Sequence, residues 1–119
     1  MIIFSKSFCP FSRKAKDLLL NHYTISPAPY IVELDEMTDP VPRSKSDEDD
    51  HTPAPTLGRK LQDLLTELTG RRTVPNVMIN AQSIGGSDDL AKLDAEDKLV
   101  EEIKRFGGKR FVSVEKKSG

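Results

Sequence analysis

The stretch IIFSKSFCPFSRKAK, residues 2–16, joins a short apolar run to a helical pattern, and the only cysteine of the chain, Cys9, stands at the junction. The apolar residues 2–4 predict a short buried strand. Pro10 suits the first turn of a helix, where its missing N–H costs no hydrogen bond. The free N–H groups of that turn and the helix dipole favour an anion, so Cys9 is expected to ionise readily and act as a nucleophile. The alternative, a small apolar residue in the core, stays open.

The neighbours of Cys9 refine this hypothesis. Lys6 and Arg13 are expected to add positive charge beside the thiolate. Ser12 occupies the position, three residues on, from which a second cysteine could close a disulfide with Cys9. A mixed disulfide at Cys9 therefore has no resolving partner within the chain, and a small soluble thiol has to complete the cycle.

The composition argues against several classes of function. Lys and Arg number 18 against 19 Asp and Glu, a balance that argues against general affinity for nucleic acid or an anionic membrane. No apolar run approaches the roughly 20 residues that span a bilayer. A single cysteine excludes an intramolecular disulfide and a zinc site built on several cysteines, and His22 and His51 are the only histidines.

The remaining pattern predicts a small α/β domain over residues 1–119, with the order β-α-β, loop, α-β-β-α. Residues 24–29 are expected to break the first helix, and 30–34 to form the second strand. Residues 36–56 are rich in proline and charge and predict an extended surface loop.

The second half of this pattern begins with a helix that carries leucines from Leu57 to Leu68 and is closed by Gly70. A third strand, 74–80, leads through a corner at 80–81 into a fourth strand, 81–84. One or two short helices follow, with Ser87 as the expected N-cap. The tail, residues 109–119, is expected to add an edge strand or to pack on the surface.

Two further segments suit a ligand. In TGRRTVPN, residues 69–76, a cis Val74–Pro75 bond costs only about 0.5–1 kcal/mol and would leave the backbone of Val74 free to pair with an extended peptide. A trans proline at a strand start is the alternative. In IGGSDD, residues 84–89, the glycines permit close approach, and the N–H groups of Ser87 and Asp88 can hold a carboxylate. An ordinary strand-to-helix turn is the alternative here.

Together these motifs resemble the glutaredoxin family of the thioredoxin fold. The resemblance runs through FSKSFCPFS, YIVEL, LQDLLTELTGRRTVPNVMIN and SIGGSDDLAKL in the family's order and spacing. It implies a thioredoxin-like α/β fold with a central mixed four-stranded sheet flanked by helices. The segment Cys9-Pro10-Phe11-Ser12 looks monothiol. The tail GKRFVSVEKK resembles that of the membrane-anchored monothiol glutaredoxins of the fungal early secretory pathway.

The resemblance implies glutathione as co-substrate and Cys9 as the nucleophile. Lys6, Gln62 and Arg72 would bind the glycine carboxylate of glutathione, and Phe11 keeps the ring of the family's usual tyrosine without its hydroxyl. The positions that match the family's glutathione-binding residues are Lys6, Phe11, Gln62, Arg72, Thr73, Val74, Pro75, Gly86, Ser87 and Asp88.

The family further implies a glutathione-dependent oxidoreductase that reduces protein–glutathione mixed disulfides at Cys9, with glutathionylated proteins as partners. One alternative is a homodimer that holds a [2Fe–2S] cluster through two Cys9 thiolates and two glutathione thiolates. Pro10 disfavours this cluster because its ring stiffens the loop. Another alternative is a module that grips peptides without turnover.

The resemblance also predicts the cellular location and the oligomeric state of the protein. Family members have a helix before the first strand, so a leader or membrane anchor is expected upstream of Met1, with the ER or Golgi lumen as the location and the cytoplasm as the alternative. These 119 residues are expected to contact neither membrane nor nucleic acid. A monomer is expected unless a cluster is bound.

Overall fold

Four α-helices and six strands form the part of the chain that this computed structural model describes, residues 1–41 and 55–117. Short 3₁₀ helices cover Leu34–Glu36 and Gly108–Arg110. In chain order the main elements are β1 (Ile2–Ser5), α1 (Pro10–Asn21), β2 (Tyr23–Ser26), β3 (Tyr30–Glu33), α2 (Leu57–Thr69), β4 (Asn76–Ile79), β5 (Gln82–Gly85), α3 (Ser87–Ala95), α4 (Leu99–Gly107) and β6 (Ser113–Lys116).

The central sheet has the strand order β3-β1-β4-β5. Strand β1 pairs parallel with β3, where Ile3 lies opposite Ile31, and antiparallel with β4, where Ile3 lies opposite Val77. Strand β5 returns antiparallel along β4 through a corner at Asn80 and Ala81, both of which adopt positive φ. The predicted mixed four-stranded sheet and its hairpin corner are therefore confirmed.

A second, two-stranded sheet corrects the prediction that residues 24–29 only break the first helix. Tyr23–Ser26 form β2, which pairs antiparallel with β6 from the tail, and Ile25 lies opposite Val114. The apolar side chains of both residues are buried, which gives the pairing a share of the core. The expectation that the tail adds an edge strand is confirmed, although its partner is β2 and not the central sheet.

The core lies on both faces of the central sheet. Its larger cluster joins Ile3 and Val77 of the sheet to apolar residues of α1, α3 and α4, and a smaller cluster forms around Leu65 of α2. Helix α2 packs closely against the 3₁₀ helix Leu34–Glu36 because its Gly58 has no side chain. A Cβ added at Gly58 would lie 1.9 Å from the Leu34 carbonyl oxygen. These contacts fix the ends of β1 and β4, which carry the candidate site.

The predicted loop 36–56 lies mostly outside the described residues, which omit 42–54. Its two described ends meet each other. The Val41 N–H donates to the Pro55 carbonyl at 2.9 Å, and the Leu57 N–H donates to the Asp39 carbonyl at 2.8 Å. Helix α2 therefore begins next to the point where the chain leaves the central sheet, with Thr56 as its N-cap.

Candidate active site

Cys9 stands at the N-cap of α1, directly before Pro10 at the first helical position. The Cys9 N–H donates to the Lys6 carbonyl at 3.1 Å, and the Cys9 carbonyl accepts the Arg13 N–H at 3.1 Å. The side chain is only partly buried, so a disulfide substrate can reach the sulfur. The predicted junction of strand, cysteine and helix start is therefore present.

The surroundings of Cys9 lower the pKa of its thiol below the ordinary value. Burial opposes this by raising the pKa, but it is outweighed by hydrogen bonds from the Ser12 N–H and hydroxyl, by one from the Phe11 N–H, and by the positive charge of Lys6. The first turn of α1 thus stabilises the thiolate form relative to the thiol, in the direction that the sequence predicts. Because the thiolate is the nucleophilic form of cysteine, this arrangement favours attack on a sulfur.

Arg13 departs from the sequence prediction. Its Nε donates to the Ser7 carbonyl at 3.4 Å, and it is not among the groups that shift the pKa of Cys9. The guanidinium therefore supports the loop before the helix, and the charge that lowers the pKa of the thiol comes from Lys6.

The loop between β1 and α1 is fixed by a carboxylate that the sequence did not single out. Asp35 accepts the Ser7 N–H at 2.9 Å with one oxygen and the Ser7 hydroxyl with the other. These hydrogen bonds lower the pKa of Asp35, so the carboxylate stays charged. Asp35 lies just beyond β3, the parallel partner of β1, and so ties the cysteine loop to the sheet.

At the N-terminal end of α1, where Phe11 follows Cys9 by two residues, opens a groove of about 380 Å³ whose lining includes Phe11 and does not include Cys9 itself. Seven of the predicted glutathione-binding residues line it, together with Arg71 and Asp89, which the sequence did not suggest. The full lining is Phe11, Arg71, Thr73, Val74, Pro75, Gly86, Ser87, Asp88 and Asp89. One wall is the segment 71–75 that leads into β4, and the other is the segment 86–89 at the start of α3.

The first wall carries a cis peptide bond between Val74 and Pro75. The N–H and C=O of Val74 take no part in the backbone hydrogen bonds that the described residues form outside helices and strands. Pro75 itself is buried, while Val74 is half-buried and faces the groove. A peptide backbone lying in the groove can therefore pair with Val74.

The second wall begins with Gly86, which is the N-cap of α3 in place of the predicted Ser87. The Gly86 N–H donates to Asp89 Oδ2 at 2.9 Å, so a carboxylate at the third helical position satisfies the N–H of the N-cap residue. Gly86 has no side chain that could accept the free N–H groups of the first turn, as a serine hydroxyl was expected to do. Ser87 and Asp88 occupy the first two helical positions and both line the groove. Their N–H groups belong to the helix start, where an anionic group is favoured.

Lys6, Gln62 and Arg72 do not line this groove. The Gln62 amide donates to the Arg72 carbonyl at 2.9 Å, so these two predicted residues do lie together, next to the first wall. The Arg72 guanidinium lies 3.9 Å from the Asp63 carboxylate of α2. Lys6 lies close enough to Cys9 for its positive charge to lower the pKa of the thiol.

The comparisons with known proteins agree with this geometry. The family model described as Glutaredoxin matches residues 1–84. Monothiol glutaredoxin-7 of Saccharomyces cerevisiae is 41% identical over 111 residues, which cover 93% of this chain and 46% of the yeast protein. The chain spans between 46% and 65% of the lengths of the first four curated relatives that it matches.

Solved structures of glutaredoxins are also similar to this chain. A buckwheat glutaredoxin–glutathione complex is 29% identical with a TM-score of 0.59, and the match covers 87% of this chain and 76% of the buckwheat chain. The holo form of glutaredoxin C1 from Populus tremula × tremuloides is 27% identical with a TM-score of 0.62, covering 98% and 82% of the two chains. Among the described residues, no helix has the length and apolarity needed to cross a membrane.

Proposed function

This chain belongs to the glutaredoxin family, and on this premise we propose that it is a glutathione-dependent thiol–disulfide oxidoreductase with Cys9 as its nucleophile. The observation that carries the proposal is the Cys9 thiol, whose pKa is lowered at a helix start beside the groove. The thioredoxin-like fold brings the cysteine loop, the Val74 segment and the start of α3 to one end of the sheet.

The first step that we propose consumes a protein–glutathione mixed disulfide. The Cys9 thiolate attacks the glutathionyl sulfur, the original S–S bond breaks, and a new disulfide joins Cys9 to glutathione. The protein thiolate leaves with the electron pair of the broken bond and takes a proton from water. Hydrogen bonds from Phe11 and Ser12 support this step because they stabilise the thiolate form of Cys9 and lower the pKa of its thiol.

The second step regenerates the enzyme with an external thiol. A second glutathione, as its thiolate, attacks the glutathionyl sulfur on Cys9, so that oxidised glutathione is released and the Cys9 thiolate returns. The need for an outside thiol follows from the sequence, which holds one cysteine and places Ser12 where a resolving cysteine could stand. The two steps together transfer the glutathionyl group from the substrate protein to glutathione.

The groove supports glutathione as the group that is bound. Val74 offers an N–H and a C=O to the cysteine residue of the tripeptide, and the N–H groups of Ser87 and Asp88 suit the carboxylate at its γ-glutamyl end. The Asp88 carboxylate suits the adjacent ammonium group. In this pose the sulfur of glutathione would lie toward the start of α1, where Cys9 stands.

The test is a deglutathionylation assay with a glutathionylated protein, glutathione, and a coupled reductase that reports oxidised glutathione. We expect Cys9→Ser to reduce the rate to the uncatalysed background, because no other thiol exists in the chain. Ser7→Ala serves as a matched control that alters the same loop without removing the sulfur, and it should retain measurable turnover. Wild-type rates in Cys9→Ser would overturn the proposal.

The cluster-binding alternative stays a prediction, and the feature of the chain that counts against it is Pro10, directly after Cys9. One chain supplies a single sulfur ligand, and in residues 1–41 and 55–117 no group of three or more His, Cys, Asp or Glu side chains is placed to hold a metal. A [2Fe–2S] cluster would therefore need Cys9 from a second chain and two glutathione thiolates, as the homodimer alternative states, and we derive no step through one. The luminal location expected from the tail stays a prediction.

A further inference from the structure

An ion pair joins the two walls of the groove. Arg71, in the segment that leads to Val74, places Nη2 2.7 Å from Oδ2 of Asp89, in the first turn of α3. Both residues line the groove, and the Arg71 side chain is 35% exposed. The pair therefore spans the groove between the segments that we assign to the two ends of glutathione.

Asp89 is held on its own wall as well. Its Oδ2 atom accepts both the Arg71 guanidinium and the Gly86 N–H, at 2.7 Å and 2.9 Å. The hydrogen bond from Gly86 thus sets the rotamer of Asp89. It also fixes the position of the carboxylate oxygen that the Arg71 guanidinium contacts. The Asp89 side chain is 50% exposed, but its second hydrogen bond, to Gly86, holds the carboxylate in a fixed position that a pair between two free side chains would lack.

The backbone of Gly86 leaves room for this arrangement. A Cβ added at Gly86 would lie 2.8 Å from Arg71 Nη1 and 3.0 Å from the Pro75 carbonyl oxygen. The two walls therefore approach each other closely at Gly86, and the guanidinium packs against the glycine. On the far side, the Arg71 N–H donates to Thr69 Oγ1 at 3.2 Å, which orients the start of the first wall.

We propose that Arg71 and Asp89 form a clasp that sets the separation of the two groove walls and so positions Val74 opposite Ser87 for glutathione. This inference rests on the proposed function, since it takes glutathione as the ligand. Arg71 and Asp89 are positioning residues, because they act through the backbone groups that would touch the tripeptide. A clasped groove binds more tightly because the ligand does not have to order the two segments.

The clasp predicts which kinetic constant changes when it is removed. The pKa of Cys9 is lowered by the first turn of α1 and by Lys6, and among the described residues these form no hydrogen bond or ion pair with the side chains of Arg71 and Asp89. Loss of the clasp should therefore raise KM for the glutathionylated substrate and leave kcat close to wild type. From the usual strength of a partly exposed ion pair, we expect an increase of about three- to fivefold.

The decisive experiment compares Arg71→Gln with Asp89→Asn. Asparagine keeps an oxygen that can accept the Gly86 N–H, so this variant removes the charge of the pair and retains the cap. Glutathione carries a net negative charge, so simple attraction predicts weaker binding in Arg71→Gln and tighter binding in Asp89→Asn. The clasp predicts weaker binding in both variants, and a double variant no weaker than either single one.

Binding is measured by calorimetric titration of glutathione into each variant in a Cys9→Ser background, and KM and kcat are measured with Cys9 intact. Arg105→Gln is the matched control, because it breaks an exposed ion pair with Glu102 on α4, outside the groove. Tighter binding by Asp89→Asn, or unchanged binding by both variants, would overturn the clasp. Absence of glutathione binding and turnover in the parent proteins would instead overturn the proposed function.

Discussion

At the scale of single residues, Ser12 has a larger role than its position in the sequence indicated. From the sequence alone, Ser12 marks only the absence of a second cysteine. In the structure it is fully buried, its hydroxyl accepts the Lys6 N–H at 3.3 Å, and both its N–H and its hydroxyl lower the pKa of Cys9. Side chains three residues apart meet on a helix, so the first turn of α1 returns Ser12 to the sulfur.

This role predicts the effect of Ser12→Ala. Loss of the hydroxyl removes one of the hydrogen bonds that stabilise the thiolate, so the pKa of Cys9 should rise toward its ordinary value. The rate of alkylation by iodoacetamide, followed against pH, should then reach half its maximum at a higher pH than in wild type. Ser113→Ala on β6 should leave the profile unchanged. The same midpoint in wild type and Ser12→Ala would show that the backbone N–H groups and Lys6 suffice.

At the scale of elements, the pairing of β2 with β6 shows what a local reading of sequence cannot detect. The segment 24–29 contains two prolines and a serine, which indicate a break, and its first residues alone do not reveal a strand. Its partner lies near the other end of the chain, where Ser113 pairs with Ser26. The strand exists because the two segments bury Ile25 and Val114 together, which is a tertiary contact.

Two valines of the tail allow a direct test of this pairing. Val114 on β6 is 2% exposed, whereas Val112, just before the strand, is 86% exposed. We expect Val114→Ala to lower the free energy of unfolding by about 1–3 kcal/mol through lost burial and a small cavity. Val112→Ala should change it by less than about 0.5 kcal/mol. Urea denaturation measures both, and equal effects would show that β6 does not contribute to the core.

At the scale of the whole molecule, the sequence predicted the elements and the cysteine better than the groove. The strand, Cys9 and Pro10 are consecutive, so their geometry follows from local rules. That Val74 and Gly86 belong to one glutathione-binding site was supplied by the resemblance to a family. Which of the two adjacent arginines lines the groove depends on the backbone path after Gly70, which adopts φ 74°. The sequence alone does not distinguish Arg71 from Arg72 in this respect. The Asp89 cap could have been found, since an acidic residue three positions after an N-cap is a known pattern.

The stability of the whole chain should depend on pH through a carboxylate that connects its parts. Asp94 of α3 accepts the Tyr23 hydroxyl of β2 and lies 3.3 Å from Lys116 of β6, so it links a helix of the main core to the second sheet. The Tyr23 hydroxyl is the main cause of the lowered pKa of Asp94; burial works against it, and Lys116 adds to the lowering.

A carboxylate whose pKa is lower in the folded chain stabilises the fold above its unfolded pKa, here about 3.8, and this contribution is lost as pH falls through the folded value. Asp94→Asn should therefore melt at a lower temperature than wild type at pH 7, and the difference should shrink below about pH 4 as the wild-type carboxylate is protonated. Thermal unfolding followed by circular dichroism from pH 7 to pH 3 measures this, with Glu67→Gln on the exposed face of α2 as the control. A difference that stays constant across this range would mean that Asp94 acts through its shape and not through its charge, and the link between α3 and the second sheet would then not be electrostatic.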